Sequence, residues 1–408
     1  MSLNSLSILI KIVIGYVSSK VIAIFVGPSG MALVGNLRNF LTTTEAFATL
    51  GFENGVVKYV AEHKEENEKL RTTLTTVFTT VLVSCILISL TLIIFSGYFN
   101  TLLFRGFHYR FIFMALALAL PFYVGNTFLV ATINGLGKFK KVVYINSIGS
   151  LLGLLVSIVL IFKLKTEGAL LSIILTPSLL FFVSFFFVNK EVAVFEAVHS
   201  KFYSFKTLQS FSSYSLMALV AAVIGPMVYL AVRTHVIATI GVQEAGYWEA
   251  MSRLSSYYFL FVSSILGLYF LPKMAVSQNN TETKKLFWSY YRNIIPLFLA
   301  GLILLYFLRD IVIQLLFTKA FLPVSKLFFW QLIGDFFKAC SFVLGYQFYA
   351  KKLTKAFVVT EACSHTILYF SSLYFISVFQ LEGVVMAYAF TYLVYFLVLV
   401  GYFRKSLF

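Results

Sequence analysis

From Leu6 to Phe403 the chain repeats one pattern: apolar stretches of about 20 residues, each long enough to cross a hydrocarbon core about 30 Å thick, separated by short polar breaks. Lipid offers no partners to exposed backbone groups, so each stretch must be helical. Runs such as Val81 to Ile94 show no apolar and polar alternation, which argues against strands. The pattern predicts about twelve spans, over residues 6–26, 31–57, 73–96, 111–135, 142–162, 167–188, 209–234, 245–271, 286–308, 327–350, 356–379 and 382–403.

Composition agrees with this reading. The 408 residues are 60% hydrophobic, 18% aromatic and 12% charged, with a mean hydropathy of +0.90, far from the range of soluble domains. A net charge of +16 would suggest nucleic acid in a soluble protein. Here Lys and Arg sit mostly in loops that flank the spans, so the charge is first a signal of topology. Lys64, Lys69, Arg71, Lys138, Lys140, Lys141, Lys284, Lys285, Arg404 and Lys405 fall on one side when both termini are cytoplasmic, and the opposite loops are poorer in Lys and Arg. Met1 leads into a full-length first span with no signal-peptide pattern, so no cleaved leader is expected. Cys85, Cys340 and Cys363 lie within predicted spans at spacings that suit neither a metal site nor a disulfide framework, and read as small packing residues.

The longest polar stretch, Asn189 to Leu208, reads as a cytoplasmic linker between an N-lobe over 1–206 (helices 1–6) and a C-lobe over 207–408 (helices 7–12). Neither side leaves room for a soluble domain. The halves echo one another: Thr166-Glu167-Gly168-Ala169 opens the sixth span, and Leu381-Glu382-Gly383-Val384 opens the twelfth, 215 positions later. With six spans in each half the repeats enter the membrane in the same sense. The expected architecture is an all-α membrane protein of two six-helix lobes around a central cavity.

Ionisable groups at membrane depth cost several kcal/mol and usually face a partner or a wet cavity. This chain places Lys11 and Lys20 in span one, Arg38, Glu45 and Glu53 in span two, Arg233 in span seven, Glu249 and Arg253 in span eight, Asp335 and Lys338 in span ten, and Glu361 with His365 in span eleven. At about 100° per residue, Arg38, Thr42 and Glu45 share one helix face, as do Glu249, Arg253 and Ser256. Gln331, Asp335 and Lys338 form a third polar stripe and Glu361 with His365 a fourth. Two readings stand side by side. Glu249 with Arg253 and Asp335 with Lys338 are spaced for intrahelical ion pairs that only position helices, whereas Arg38 and Arg233 have no opposite charge within one turn. Lys11 and Lys20 point to opposite faces, and either can snorkel to the interface. Arginine binds phosphate oxygens bidentately, so a cavity lined by Arg and Lys suits an anion. Aromatics near span ends, among them Tyr257, Tyr258, Tyr346 and Tyr349, serve either as interfacial anchors or as stacking surfaces for sugar rings.

No phosphate loop of the form G-x-x-x-x-G-K-[ST] is present, nor H-E-x-x-H, G-x-S-x-G or a His/Cys cluster. The motifs that remain are Gly27-Pro28-Ser29-Gly30 followed by Asn36-Leu37-Arg38, and Asn54-Gly55-Val56-Val57-Lys58-Tyr59-Val60-Ala61. In the second half they are Gly246-Tyr247-Trp248 leading to Arg253, and Trp330-Gln331-Leu332-Ile333-Gly334-Asp335 leading to Lys338. Across nearly the whole chain these segments resemble the Wzx-type polysaccharide flippases of the multidrug/oligosaccharidyl-lipid/polysaccharide exporter superfamily, close to the O-antigen and enterobacterial common antigen translocases.

The resemblance implies alternating access and export of an undecaprenyl-diphosphate-linked oligosaccharide to the periplasmic leaflet of the bacterial inner membrane. Charge is expected in such proteins at Lys11, Lys20, Arg38, Arg233, Lys338 and Glu361. Lys11, Arg38, Arg233 and Arg253 are the expected attractors of the diphosphate, with Lys20 and Lys338 as further basic candidates. Glu45, Glu249, Asp335, Glu361 and His365 are the candidate polar or coupling groups. The partners implied are the lipid-linked oligosaccharide, the bilayer, and polymerase and chain-length proteins of the same pathway; no cofactor, metal or nucleic acid is expected. A cation-coupled drug exporter of the same superfamily shares the architecture but favours an acidic cavity. A membrane-bound polymerase or ligase calls for a large outer loop or a catalytic constellation.

Overall fold

The computed structural model describes residues 3–192, 199–277 and 279–407. All regular structure among them is helical: α1 (Leu3–Phe25), α2 (Gly27–Thr49), α3 (Glu53–His63), α4 (Asn67–Ile94), α5 (Ser96–Phe104), α6 (Arg110–Gly135), α7 (Phe139–Asn189), α8 (Phe205–Thr239), α9 (Val242–Ile265), α10 (Leu271–Val276), α11 (Asn280–Asn293), α12 (Ile295–Phe307), α13 (Arg309–Leu316), α14 (Phe328–Ala350), α15 (Thr354–Phe379), α16 (Leu381–Tyr402) and α17 (Arg404–Leu407). Nine helical stretches among the described residues are long and apolar enough to cross a membrane. One of them is α7, which contains two predicted spans. The two predicted spans outside this set, over α1 and α2–α3, carry Lys11, Lys20, Arg38, Glu45 and Glu53. The predicted linker from Asn189 to Leu208 lies partly outside the described residues, at 193–198.

Two predicted spans differ in detail. The second span is broken, because Leu50 and Gly51 adopt left-handed φ of 53° and 66° between α2 and α3. Gly51 has no side chain for a physical reason: a Cβ there would lie 2.8 Å from the carbonyl oxygen of Ser215. Glu53 then starts α3, where a carboxylate favours the positive end of the helix. The eighth span runs on through a π-helical turn at Leu266–Phe270 into α10. Pro272 has no N–H to offer its fourth predecessor, and the wider turn absorbs the missing bond.

The chain forms two compact units, Met1–Val26 with Leu33–Leu230 and Gly27–Ala32 with Ala231–Phe408. In the first, α6 packs against α3, α4 and α7, and α1 packs along α7. Leu37, Leu74, Phe104, Phe113 and Ile133 are fully enclosed in its core. Asn36 donates from Nδ2 to the Leu103 carbonyl over 2.8 Å, tying α2 to the end of α5. Glu191 accepts hydrogen bonds from Lys141 and Lys138, the latter ion pair at 3.1 Å. Those ammonium groups, Lys141 first, hold its carboxyl below the usual range and clip together the two ends of α7. In the second unit α14 is central, packed against α9, α12, α15 and α16. The first residues of α2, Gly27–Ala32, belong there because Gly246 leaves room for the Pro28 carbonyl, which a Cβ would approach to 1.9 Å.

The internal echo in the sequence has a structural counterpart in each unit. α7 reverses at Lys165 (φ 49°, ψ −119°), and α15 passes to α16 through Gln380 (φ 54°, ψ −133°). Three residues later comes a glycine whose backbone touches the partner arm. A Cβ on Gly168 would lie 2.0 Å from the Leu160 carbonyl oxygen, and one on Gly383 would lie 2.2 Å from that of Phe375. Backbone cannot yield as a flexible side chain can. Gly168→Ala and Gly383→Ala should each destabilise the protein by about 1–3 kcal/mol, read as a lower midpoint of thermal unfolding in detergent. Gly301→Ala, where nothing lies within 4 Å of the new methyl, should leave that midpoint unchanged or raise it slightly.

Candidate substrate cavity and intramembrane charges

Within the first unit, α1, α2 and both arms of α7 line an open cavity of about 380 Å³. Lys11 enters it from α1 and Arg38 from α2, beside Asn146, Ser150, Ser172 and Thr176 of α7. Both cations are exposed to the space. Gly149 and Gly153, one turn apart, let the arms of α7 approach closely: a Cβ would come within 2.5 Å of Leu180 and 2.6 Å of Thr176. Close approach through small residues is the usual device for packing helices in lipid. Ser150 and Thr176 donate to the carbonyls of Asn146 (2.8 Å) and Ser172 (2.7 Å), so their remaining lone pairs add only weak polarity to the wall. No carboxylate lines the cavity. Lys20 is half-buried and lies outside that lining.

Glu45, two turns beyond Arg38, is held by α6. It accepts hydrogen bonds from Tyr123 Oη at 3.0 Å and Thr127 Oγ1 at 2.7 Å. Glu53 is exposed at the start of α3. Neither hydroxyl partner of Glu45 was marked by the charge pattern; a tyrosine and a threonine four apart on one face of α6 was the available signal.

In the second unit Glu249 takes two arginines. Its Oε2 lies 2.7 Å from Arg233 Nη2 and its Oε1 lies 2.8 Å from Arg253 Nε, with side-chain exposures of 6%, 2% and 3%. The pair Glu249 and Arg253 has the spacing expected for an intrahelical ion pair. Arg233 finds its partner across helices, which no spacing along α8 reveals. Its guanidinium also stacks over Trp248, 5.1 Å from the ring centroid. With all three ionised the cluster carries one net positive charge, and the buried Nη2 of Arg253 has no hydrogen-bond partner among the described residues.

Asp335 and Lys338 have the spacing of an ion pair, yet each is held by other groups. Fully buried Asp335 accepts from Ser255 Oγ (2.8 Å), Tyr388 Oη (2.7 Å), Tyr258 Oη and Gln331 Nε2 (3.3 Å). Lys338 Nζ sits among rings, 4.7 Å from the centroid of Phe259, 5.2 Å from Tyr392, 5.7 Å from Tyr388 and 5.9 Å from Phe342. Glu361 accepts from Tyr395 Oη at 2.9 Å, and its Oε2 lies 3.6 Å from His365 Nδ1. His365 Nδ1 also lies 2.9 Å from the Glu361 carbonyl oxygen. Sequence reasoning missed Tyr388, Tyr392 and Tyr395, whose spacings of three and four place them along one face of α16. Among the described residues no group of three His, Cys, Asp or Glu is placed to hold a metal. Cys85 and Cys340 are buried and Cys363 is exposed; all are free thiols.

These features define a multi-pass α-helical membrane protein with the architecture of a transporter. The chain belongs to the polysaccharide biosynthesis protein family, whose pattern matches residues 10–326. It is 28% identical over 397 residues to the lipid III flippase of Escherichia coli (strain K12) and to that of Shigella flexneri, covering 97% of this chain and 95% of each relative. Its fold matches a multidrug resistance MATE family transporter of the MOP superfamily with a TM-score of 0.81, at 13% identity over 97% of this chain and 94% of that one. It also matches the lipid II flippase MurJ with a TM-score of 0.74, at 14% identity over 98% and 86% of the two chains.

The triad yields a prediction about stability. Removing one member of a buried ion cluster leaves an uncompensated charge, at a cost of about 3–5 kcal/mol. Glu249→Gln should therefore lower the thermal midpoint and the yield of monodisperse protein. The double variant Glu249→Gln with Arg233→Gln restores the original net charge and should recover part of the loss. Equal midpoints for the single variant and the parent would show that Glu249 does not balance the arginines.

Proposed function

We propose that this protein is a flippase for a lipid-linked oligosaccharide, carrying it from the cytoplasmic to the periplasmic leaflet of the bacterial inner membrane by alternating access, with undecaprenyl diphosphate as the expected carrier. The observation that carries the reading is the cavity in which Lys11 and Arg38 stand with hydroxyl and amide groups and without a carboxylate. An unaided lipid must take its diphosphate and each sugar hydroxyl out of water, at a cost of kcal/mol per unsatisfied group. Two cations and a polar wall offset much of that cost while the prenyl chain stays in lipid. The relatives named lipid III flippase and the fold shared with a lipid II flippase support the same class of cargo. The protein acts as a transporter and makes no covalent change in its cargo.

In the proposed cycle both termini are cytoplasmic, and the halves expected at 1–206 and 207–408 are the moving parts. Arg38 and Lys11 hold the diphosphate; Arg253 and Arg233, with one net positive charge after Glu249 is counted, add long-range attraction rather than direct contact. Lys20 and Lys338 are secondary. A membrane potential negative inside favours outward movement of an anion by about 2.3 kcal/mol per charge per 100 mV. Asp335, Glu361 and His365 are the candidates for an added proton-coupled step, with Glu45 a polar element of the first unit. The exported lipid is passed to the polymerase and chain-length proteins of the same pathway. A drug exporter of the MATE type fits the fold but calls for an acidic cavity, and the basic lining at Lys11 and Arg38 speaks against it.

A charge-assisted hydrogen bond contributes about 1.5–3 kcal/mol, a factor of about ten or more in an equilibrium. Arg38→Ala should lower surface polysaccharide about tenfold and leave the lipid-linked intermediate on the inner leaflet. Arg38→Lys should retain part of the output, and Lys11→Ala should fall between them. Because Arg38 is exposed, protein levels should hold. Undiminished output from Arg38→Ala at parental protein levels would remove this residue, and with it the cavity, from the mechanism.

A further inference from the structure

A second cavity, in the other unit, has the opposite chemistry. α12 and α14 leave an open groove of about 440 Å³ between them, walled by Leu302, Ile303, Phe307, Ile333, Phe336 and Phe337 among others. No residue along it is charged, and the Tyr306 hydroxyl is its only polar side-chain group. One end is marked by a cation. Arg309 donates from Nη1 to the Tyr306 carbonyl over 2.9 Å and lies 4.5 Å from the Tyr306 ring centroid, so a carbonyl and a ring orient its guanidinium beside the groove. The neighbouring Asp310 is exposed and forms no ion pair with it among the described residues. The groove wall is thin toward the polar interior of the same unit. Phe298, adjoining Leu299 of the groove, packs 5.7 Å from Phe259, whose ring carries the Lys338 ammonium at 4.7 Å.

We propose that this groove is a product-side lipid site, in which the chain of a polyisoprenyl diphosphate lies between α12 and α14 while Arg309 takes its phosphate. The assignment rests on the flippase reading above, and with cytoplasmic termini it places Arg309 at the periplasmic end of α12, where the cargo arrives. Charge complementarity supplies the head-group end: a planar guanidinium beside an apolar channel matches one phosphate ester on one chain. The walls supply the rest. Flat, methyl-branched isoprene units offer extended dispersion contact to the rings of Phe307, Phe329, Phe336 and Phe337. The saturated, unbranched chains of a diacyl phospholipid lack the branched, unsaturated units that those rings contact.

The test uses the full-length protein in phosphatidylcholine nanodiscs with undecaprenyl diphosphate carrying a photoreactive diazirine on its tail, and labelled peptides mapped by mass spectrometry. Label is expected on residues 299–307 and 329–337. Unlabelled undecaprenyl diphosphate should suppress it, and an equal amount of phosphatidylglycerol should not. Ile303→Trp with Ile333→Trp should cut labelling about fivefold, the factor that corresponds to about 1 kcal/mol, and Arg309→Gln should weaken competition. Label spread evenly over the lipid-facing surface, or equal suppression by phosphatidylglycerol, overturns the proposal. The competition arm needs no variant and is independent of any folding defect. Arg38→Ala separates the two readings: loss of export with groove labelling intact supports both, retained export with intact labelling overturns only the flippase site, and lost export with no groove labelling in the unaltered protein overturns only the groove.

Discussion

A charge carried from water into hydrocarbon must find compensation inside the protein, and the structure answers that demand in three different ways. Glu249 is shared by two arginines. Asp335 is surrounded by donors, three of them hydroxyls from Ser255, Tyr258 and Tyr388. Lys338 is placed against four aromatic rings. All three are found in the second unit, and hydroxyl donors also hold Glu45 in the first. The first unit differs, because Lys11 and Arg38 face a cavity in which no carboxylate is present. A site that must bind an anion and release it again needs basic groups that reach such a space.

The same distinction separates what the sequence made legible from what it left hidden. Periodicity and length located the spans that carry the intramembrane charges, because the bilayer sets a single length and excludes alternative secondary structures. The turn echo at Gly168 and Gly383 was also visible, and its cause is now plain: both glycines meet a backbone carbonyl of the preceding arm. Pairing across helices was not visible. Helical spacing correctly placed Glu249 beside Arg253, yet it could not bring Arg233 from α8, and it suggested a pair between Asp335 and Lys338 where tyrosines from α9 and α16 intervene. Side chains one turn apart are neighbours on a helix, but the lowest-energy partner for a buried charge is chosen by tertiary packing. The break at Leu50 and Gly51 was hidden for a related reason, since hydropathy does not register a turn whose glycine is required by the Ser215 carbonyl on another helix.

The glycines themselves tie the fold to the cavity. Gly149 and Gly153 pull the second arm of α7 against the first, and this draws Ser172 and Thr176 into the wall opposite Lys11 and Arg38. Larger residues at the two positions would separate the arms and change the cavity's depth without touching either cation. In the proposed site, the spacing of the walls and the charge that faces the cavity are therefore set by different helices, α7 for the one and α1 with α2 for the other, which lets one vary while the other stays fixed.

A lipid with a polar head and a long apolar tail poses two solvation problems at once, and the two proposals above answer them separately, with the basic cavity of the first unit for the head and the apolar groove of the second for the tail. The head requires a basic, hydrated recess, and the tail requires a surface no less apolar than lipid. If the tail simply remained in bulk lipid throughout, a groove with aromatic walls and a guanidinium at its mouth would have no role in the cycle. A separate tail groove changes the energetics of release, because the chain can leave it for bulk lipid segment by segment. Release then proceeds in steps, each with a smaller barrier than the loss of all contacts together.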